Sequence, residues 1–151
     1  MPTVIHRRVA ACQAGLDPTC LGRMASGWAV MGDPQVLSGY CLLLPDPVPP
    51  HLNAMEPEHR RQFLADMAML GDAVLAVTGA LRVNYAMYGN LAPALHAHLF
   101  PRYADEPEFA QTGHPWVYDW SLAPVFDRKI HGELFAALQQ VLSSQMKVKI
   151  S

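Results

Sequence analysis

The 151-residue chain is 51% hydrophobic and only 16% charged, with a net charge of −2. Such a chain is long and apolar enough for one domain with a full core, and intrinsic disorder, which needs the opposite balance, is excluded. Its eleven basic residues form no run longer than Arg7-Arg8 or Arg60-Arg61, which argues against nucleic acid or an anionic membrane as partner.

The apolar content is more than a small domain ordinarily hides and points to a homo-oligomer, with an apolar monomer as the alternative. No apolar stretch approaches the roughly 18 residues of a membrane span. The start, MPTVIHRRVAACQAG, lacks the apolar centre of a secretory signal. Cys12, Cys20 and Cys41 are an odd number without a CxxC pair. Neither a disulfide framework nor a four-cysteine zinc site is expected, and a reducing, cytoplasmic location fits. Cys41 reads as core.

In chain order, residues 3–15 predict a short helix, and Leu16-Asp17-Pro18 a turn. Leu21–Met24 and Ser26–Met31 read as two short strands, the second ended by Gly32-Asp33-Pro34. The dense apolar run Gly39–Leu44, stopped by Pro45-Asp46-Pro47, reads as a central strand. The proline-rich stretch to Pro50 must be loop.

Residues 56–78 predict a long helix. Pro57 stands near its start and Gly79 at its stop. Phe63, Leu64, Met67, Leu70, Val74 and Val77 form its apolar stripe, and Met67 and Met69 are core rather than metal ligands. Leu81–Tyr88 predicts a strand, Gly89-Asn90 a turn, and Leu95–Phe100 a strand ended by Pro101. Residues 103–124 read as an ordered loop. A last helix is capped by Asp127 and buries Ile130, Leu134, Ala137, Leu138 and Val141. Short connections make the strand pairs antiparallel. The expected fold is α+β: an antiparallel sheet of about five strands, with the long helix and the C-terminal helix packed on one face.

The chemistry concentrates in NYAMYGNLAPALHAHLFPRY, residues 84–103. His96 and His98 stand two apart, so in a strand both point to one face with Ala94 and Phe100, while Leu95, Ala97 and Leu99 face the core. Two neighbouring imidazoles can bind a metal, act on a phosphate as nucleophile and donor, or be partly buried structural histidines. Asn90 precedes them as a possible phosphate ligand. Asn84 can reach ribose or phosphate. Arg102 reads either as a phosphate partner or as a structural ion pair. Glu106, Glu108 and His114 are the available third ligands of a metal site. The aromatic segment His114–Trp120 can stack on a base, cover the site or anchor its loop to the sheet; anchoring is the expected role. His6, His51, His59 and His131 show no partner pattern and read as surface residues.

The run Gly89-Asn90, then Ala94, His96 and His98, then Leu99-Phe100-Pro101-Arg102, resembles the active-site strand of the histidine triad family. That strand carries His-x-His-x-His-x-x, with x apolar, commonly followed by Pro-Arg. Ala94 replaces the first histidine. Asp33-Pro34 and the strand Gly39–Pro45 resemble the family's preceding elements; residues 104–151 match no named pattern. The resemblance implies a half-barrel-like antiparallel sheet with two helices, a homodimer, and hydrolysis or transfer at a nucleotide α-phosphate. Carried over by position, His96 is the nucleophile and His98 contacts the scissile phosphate or its bridging oxygen. Asn90 is a phosphate ligand, and Asp33 approximates the residue that holds the ribose hydroxyls. Dinucleoside polyphosphates such as diadenosine tetraphosphate, or nucleoside phosphoramidates, are the implied substrates, without a cofactor. Two alternatives stand beside this reading: a non-catalytic nucleotide-binding protein whose site has decayed, as Ala94 suggests, and a metal-dependent hydrolase with His96 and His98 as ligands.

Overall fold

The computed structural model describes residues 2–150. Helix α1 (Val4–Gln13) opens the chain. The hydroxyl of Thr3 accepts from the backbone N–H of Ile5 and of His6, and the His6 ring accepts from the backbone N–H of Thr3 at 3.1 Å. This reciprocal cap satisfies donors that the first helical turn leaves free. His6 is therefore a capping residue, not the partnerless surface residue its isolation in sequence suggests.

Strands β1 (Cys20–Arg23), β2 (Gly27–Met31) and β3 (Cys41–Pro45) follow, then helix α2 (Pro57–Thr78), strands β4 (Arg82–Ala86) and β5 (Ala97–Arg102), and helix α3 (Arg128–Ile150). The five strands form one antiparallel sheet in the order β1-β2-β3-β5-β4. Strand β3 is buried at every position, as the apolar run predicts for a strand covered on both faces.

Alternation sorts the sheet into two faces. Leu43, Ala97 and Leu99 join Phe63, Leu70 and Val74 of α2 and Phe135, Leu138 and Leu142 of α3 in one core. Tyr40, Leu42, Leu44, Ala94 and Phe100 join Ile5, Val9 and Cys12 of α1 in the other. The helices therefore do not all lie on one side: α1 covers the face opposite α2 and α3. Cys41 is fully buried, and Met67 and Met69 pack against the first core.

Helix α2 begins at Pro57 and closes on Gly79 in the left-handed region, φ 67°. Phe63, Leu70 and Val74 of the predicted stripe are buried, and Gly71 and Ala73 join them. Leu64 is exposed, and Asp66 is buried. The Asp66 carboxylate accepts from the backbone N–H and hydroxyl of Ser26 at 2.8 and 2.6 Å, and from Gln62 at 2.7 Å. These bonds offset its burial and tie α2 to the β1–β2 turn.

Asp127 caps α3, accepting from the Lys129 N–H at 2.8 Å. The buried stripe of α3, however, is His131, Phe135, Leu138 and Leu142, while Ile130 is 71% exposed. Tertiary packing turned the helix so that the His131 ring stacks on Phe126 and accepts from the Asp127 N–H. His131 is thus not a surface residue.

Pro101 does not end its strand: β5 runs to Arg102. The ladder with β3 stops at Leu99, and beyond it β5 pairs with β4 alone. Proline is tolerated where one side of the strand needs no donor.

Candidate active site

His96 immediately precedes β5, and His98 lies within it opposite Leu42 of β3. The Leu95 N–H, donating to the Pro49 carbonyl at 2.8 Å, fixes the approach to the strand. The two imidazoles project to the same face, their ring centres 4.9 Å apart and their planes 72° apart.

The Nδ1 of His96 lies 2.8 Å from the Ala94 carbonyl oxygen. A carbonyl only accepts, so Nδ1 carries the proton, and in the neutral ring Nε2 keeps a free lone pair. Ala94 supplies this bond through its backbone, so no side chain at position 94 is needed for it.

His98 is held more tightly. Its ring stacks on Phe100, with centres 5.6 Å apart, and meets the edge of Trp116 at 5.3 Å. Its Nδ1 lies 2.7 Å from the Tyr40 hydroxyl. Burial, reinforced by the neighbouring His96, pulls its pKa down from 6.5 to about 4, so the ring is neutral at pH 7.

Both histidines open onto a cavity of about 610 Å³. Asn90, Tyr88, Trp116 and Trp120 line it, as do Val4 and Ile5 from α1. Of the residues picked from the sequence, His96, His98 and Asn90 thus come together here. The aromatic segment anchors its loop and also lines the cavity. Trp120 anchors the loop by donating to the Pro115 carbonyl at 3.1 Å, while Trp116 and His114 form part of the cavity wall.

Asp33, Asn84 and Arg102 are not brought to this cavity. The Asp33 carboxylate accepts from the backbone N–H of Phe126 at 3.0 Å. Arg102 is buried with every donor engaged. It forms a two-pronged ion pair with Glu106 at 3.0 Å and donates to Asn84 Oδ1, the Gly113 carbonyl and the Ala110 carbonyl. The substrate-binding role considered for Arg102 gives way to a structural one, because no N–H of the guanidinium remains for a phosphate; Asn84 lends its Oδ1 to that guanidinium. Burial raises the Glu106 pKa, but hydrogen bonds from Arg102, Tyr118 and the Tyr103 N–H outweigh it and leave the carboxyl below its ordinary value. Glu106, committed to this network, is not presented as a metal ligand. Among the described residues no three or more His, Cys, Asp or Glu side chains gather as a metal site.

Sequence reasoning missed Tyr40 and the contribution of α1. Alternation along residues 40–44 does place Tyr40, Leu42 and Leu44 on one face. The strand register that sets Tyr40 beside His98 is not legible locally.

No protein-family model and no curated relative matches the chain. Solved structures do. A histidine triad protein from Marinobacter aquaeolei VT8 is 21% identical with a TM-score of 0.75, over 94% of this chain and 97% of that one. A histidine triad protein from Bradyrhizobium japonicum is 18% identical with a TM-score of 0.71, over 86% and 94%. A zinc-bound histidine triad family protein from Mycobacterium smegmatis is 20% identical with a TM-score of 0.63, over 89% and 94%. At these identities the likeness is one of fold, and the fold of this chain is that of histidine triad proteins.

Proposed function

We propose that the protein is a histidine triad-like nucleotide hydrolase or nucleotidyl transferase that works through a nucleotidyl-histidine intermediate on His96. The observation that carries this reading is the Nδ1–H bond from His96 to the Ala94 carbonyl. It holds the bare Nε2 on the wall of a cavity large enough for a nucleotide-sized ligand. In the first step Nε2 forms a bond to the α-phosphorus, and the bond from phosphorus to the leaving atom breaks with its electron pair. In the second, water or another acceptor displaces His96. His98 and Asn90 contact the phosphoryl oxygens or the leaving atom.

Two substrate kinds enter from the sequence, dinucleoside polyphosphates and nucleoside phosphoramidates. Among the described residues no lysine or arginine lines the cavity. A polyphosphate carries several charges that cationic side chains ordinarily match, whereas a phosphoramidate carries one. The phosphoramidate, or a comparable phosphate monoanion, is therefore the better match. Free thiols at Cys12, Cys20 and Cys41 suit a cytoplasmic protein, and we place it there as a homodimer.

The test is trapping. Incubation with an adenosine 5′-phosphoramidate labelled at phosphorus and acid-free quenching should leave label on His96. The His96→Ala variant should lose turnover by at least about a thousandfold, as losing a nucleophile does. Hydrolysis by His96→Ala at the wild-type rate would overturn the reading. Nucleotide binding with no turnover in the wild type would leave a nucleotide-binding protein.

A further inference from the structure

We propose that Tyr40 is a positioning residue that fixes the tautomer of His98, so that the neutral ring presents a permanent Nε2–H to an anionic ligand in the cavity. The catalytic meaning of this rests on the nucleotidyl-transfer reading above; the tautomer itself does not.

The argument is one of hydrogen-bond accounting. Tyr40 is 3% exposed, and its hydroxyl lies 2.7 Å from His98 Nδ1. No other partner of that hydroxyl occurs among the described residues. If Nδ1 carried the hydrogen, the ring would donate to the phenol oxygen and the Tyr40 O–H would be buried without an acceptor, a costly arrangement. If the phenol donates instead, Nδ1 accepts, both groups are satisfied, and the ring proton stands on Nε2. Burial keeps the phenol protonated by pushing its pKa up.

The ring is built into place for this contact. Tyr40 stacks on Phe100 with centres 4.5 Å apart and planes 11° apart, and Trp120 meets its edge at 5.7 Å. A Cβ on Gly32 would stand 2.0 Å from the Tyr40 ring, so glycine there is what admits it. The register that sets Leu42 opposite His98 puts Tyr40 diagonal to His98 on the same face.

The two histidines then hold opposite tautomers. His96 has hydrogen on Nδ1 and a lone pair on Nε2; His98 has the reverse. One ring attacks and the other donates. A neutral imidazole is a hydrogen-bond donor but a very poor acid. His98 therefore stabilises charge on the phosphoryl or leaving oxygen or nitrogen without giving up its proton, and the leaving atom is protonated from water.

The experiment uses the full chain with ¹⁵N-labelled histidine and AMP as the probe anion. In the wild type, His98 should show an unprotonated Nδ1 and a protonated Nε2 near neutral pH. AMP should shift the Nε2 signal. Tyr40→Phe keeps the ring and its stacking but removes the hydroxyl. It should leave His98 as a mixture of tautomers and weaken AMP by the reciprocal of the fraction that keeps hydrogen on Nε2, at least about twofold when half or less of the ring does. In a His98→Asn background, where an amide donates in any case, Tyr40→Phe should change AMP affinity by less than about twofold. A wild-type His98 with hydrogen on Nδ1 overturns the proposal. So does a Tyr40→Phe protein whose His98 tautomer and AMP affinity are unchanged. Where turnover is measurable, Tyr40→Phe should lower kcat. Unlabelled His96 in the trapping assay would sink the catalytic reading and leave the tautomer result standing.

Discussion

At the scale of single residues, the two imidazoles of the site are set by different hydrogen-bond partners. His96 is oriented by a backbone carbonyl two residues earlier, a bond that any residue at position 94 can supply. The tautomer of His96 therefore does not depend on the side chain that stands at position 94. His98 is set by a side chain from another strand and is neutral because it is buried. This has a consequence for stability. The unfolded ring takes up a proton below its ordinary value of 6.5, but the folded ring only below about 4. Between these values the unfolded chain binds more protons, so stability must fall as pH drops through that window. Thermal melts over this range should show a steeper decline for the wild type than for His98→Asn. Parallel declines would mean that His98 is not held neutral.

At the scale of elements, the segment between β5 and α3 is long and has only two short 3₁₀ turns, at Pro115–Val117 and Trp120–Leu122. What fixes it is the buried ion pair of Arg102 and Glu106, whose side chains are 7% and 5% exposed. Tyr118 adds a hydrogen bond to Glu106 at 2.5 Å, and Tyr103 bonds the Ser38 carbonyl. The loop fastened in this way carries Trp116 to the wall of the cavity. Removing one partner of a buried pair leaves the other charged and unpaired, which costs about 3–5 kcal/mol. Arg102→Ala should lower the free energy of unfolding in urea by that order, and Arg102→Lys should recover little, because one ammonium cannot serve five acceptors. A loss below about 1 kcal/mol would mean that the network is not what secures the loop.

At the scale of the whole molecule, the low charge acquires a place. Strand β4 is an edge of the sheet. The chain around it exposes Leu81, Tyr85, Tyr88 and Leu91, at 60%, 42%, 59% and 99%. An uncovered edge flanked by apolar side chains favours association. Sedimentation velocity at micromolar concentration should give a species of twice the 16.6 kDa chain mass, and Tyr85→Lys should shift it towards the monomer. A wild-type monomer at that concentration would remove the homodimer from the proposed function. No helix among the described residues is long and apolar enough to cross a membrane.

The sequence by itself determined whatever depends on near neighbours. Apolar patterns and turn residues located the five strands and three α-helices but none of the short 3₁₀ turns; alternation separated the histidine face of β5 from its core face, and Pro57, Gly79 and Asp127 marked helix ends. The motif around His96 and His98 pointed to the fold that the solved structures share. Tertiary structure alone decided which face of α3 is buried, that α1 crosses to the opposite side of the sheet, and that Arg102 serves Glu106 rather than a ligand. It also decided that Tyr40, 58 residues away, reaches His98. The physical reason is that the pleat fixes which side of its own strand a residue faces. The register between strands, and therefore its partner, is set by packing between segments far apart in the chain.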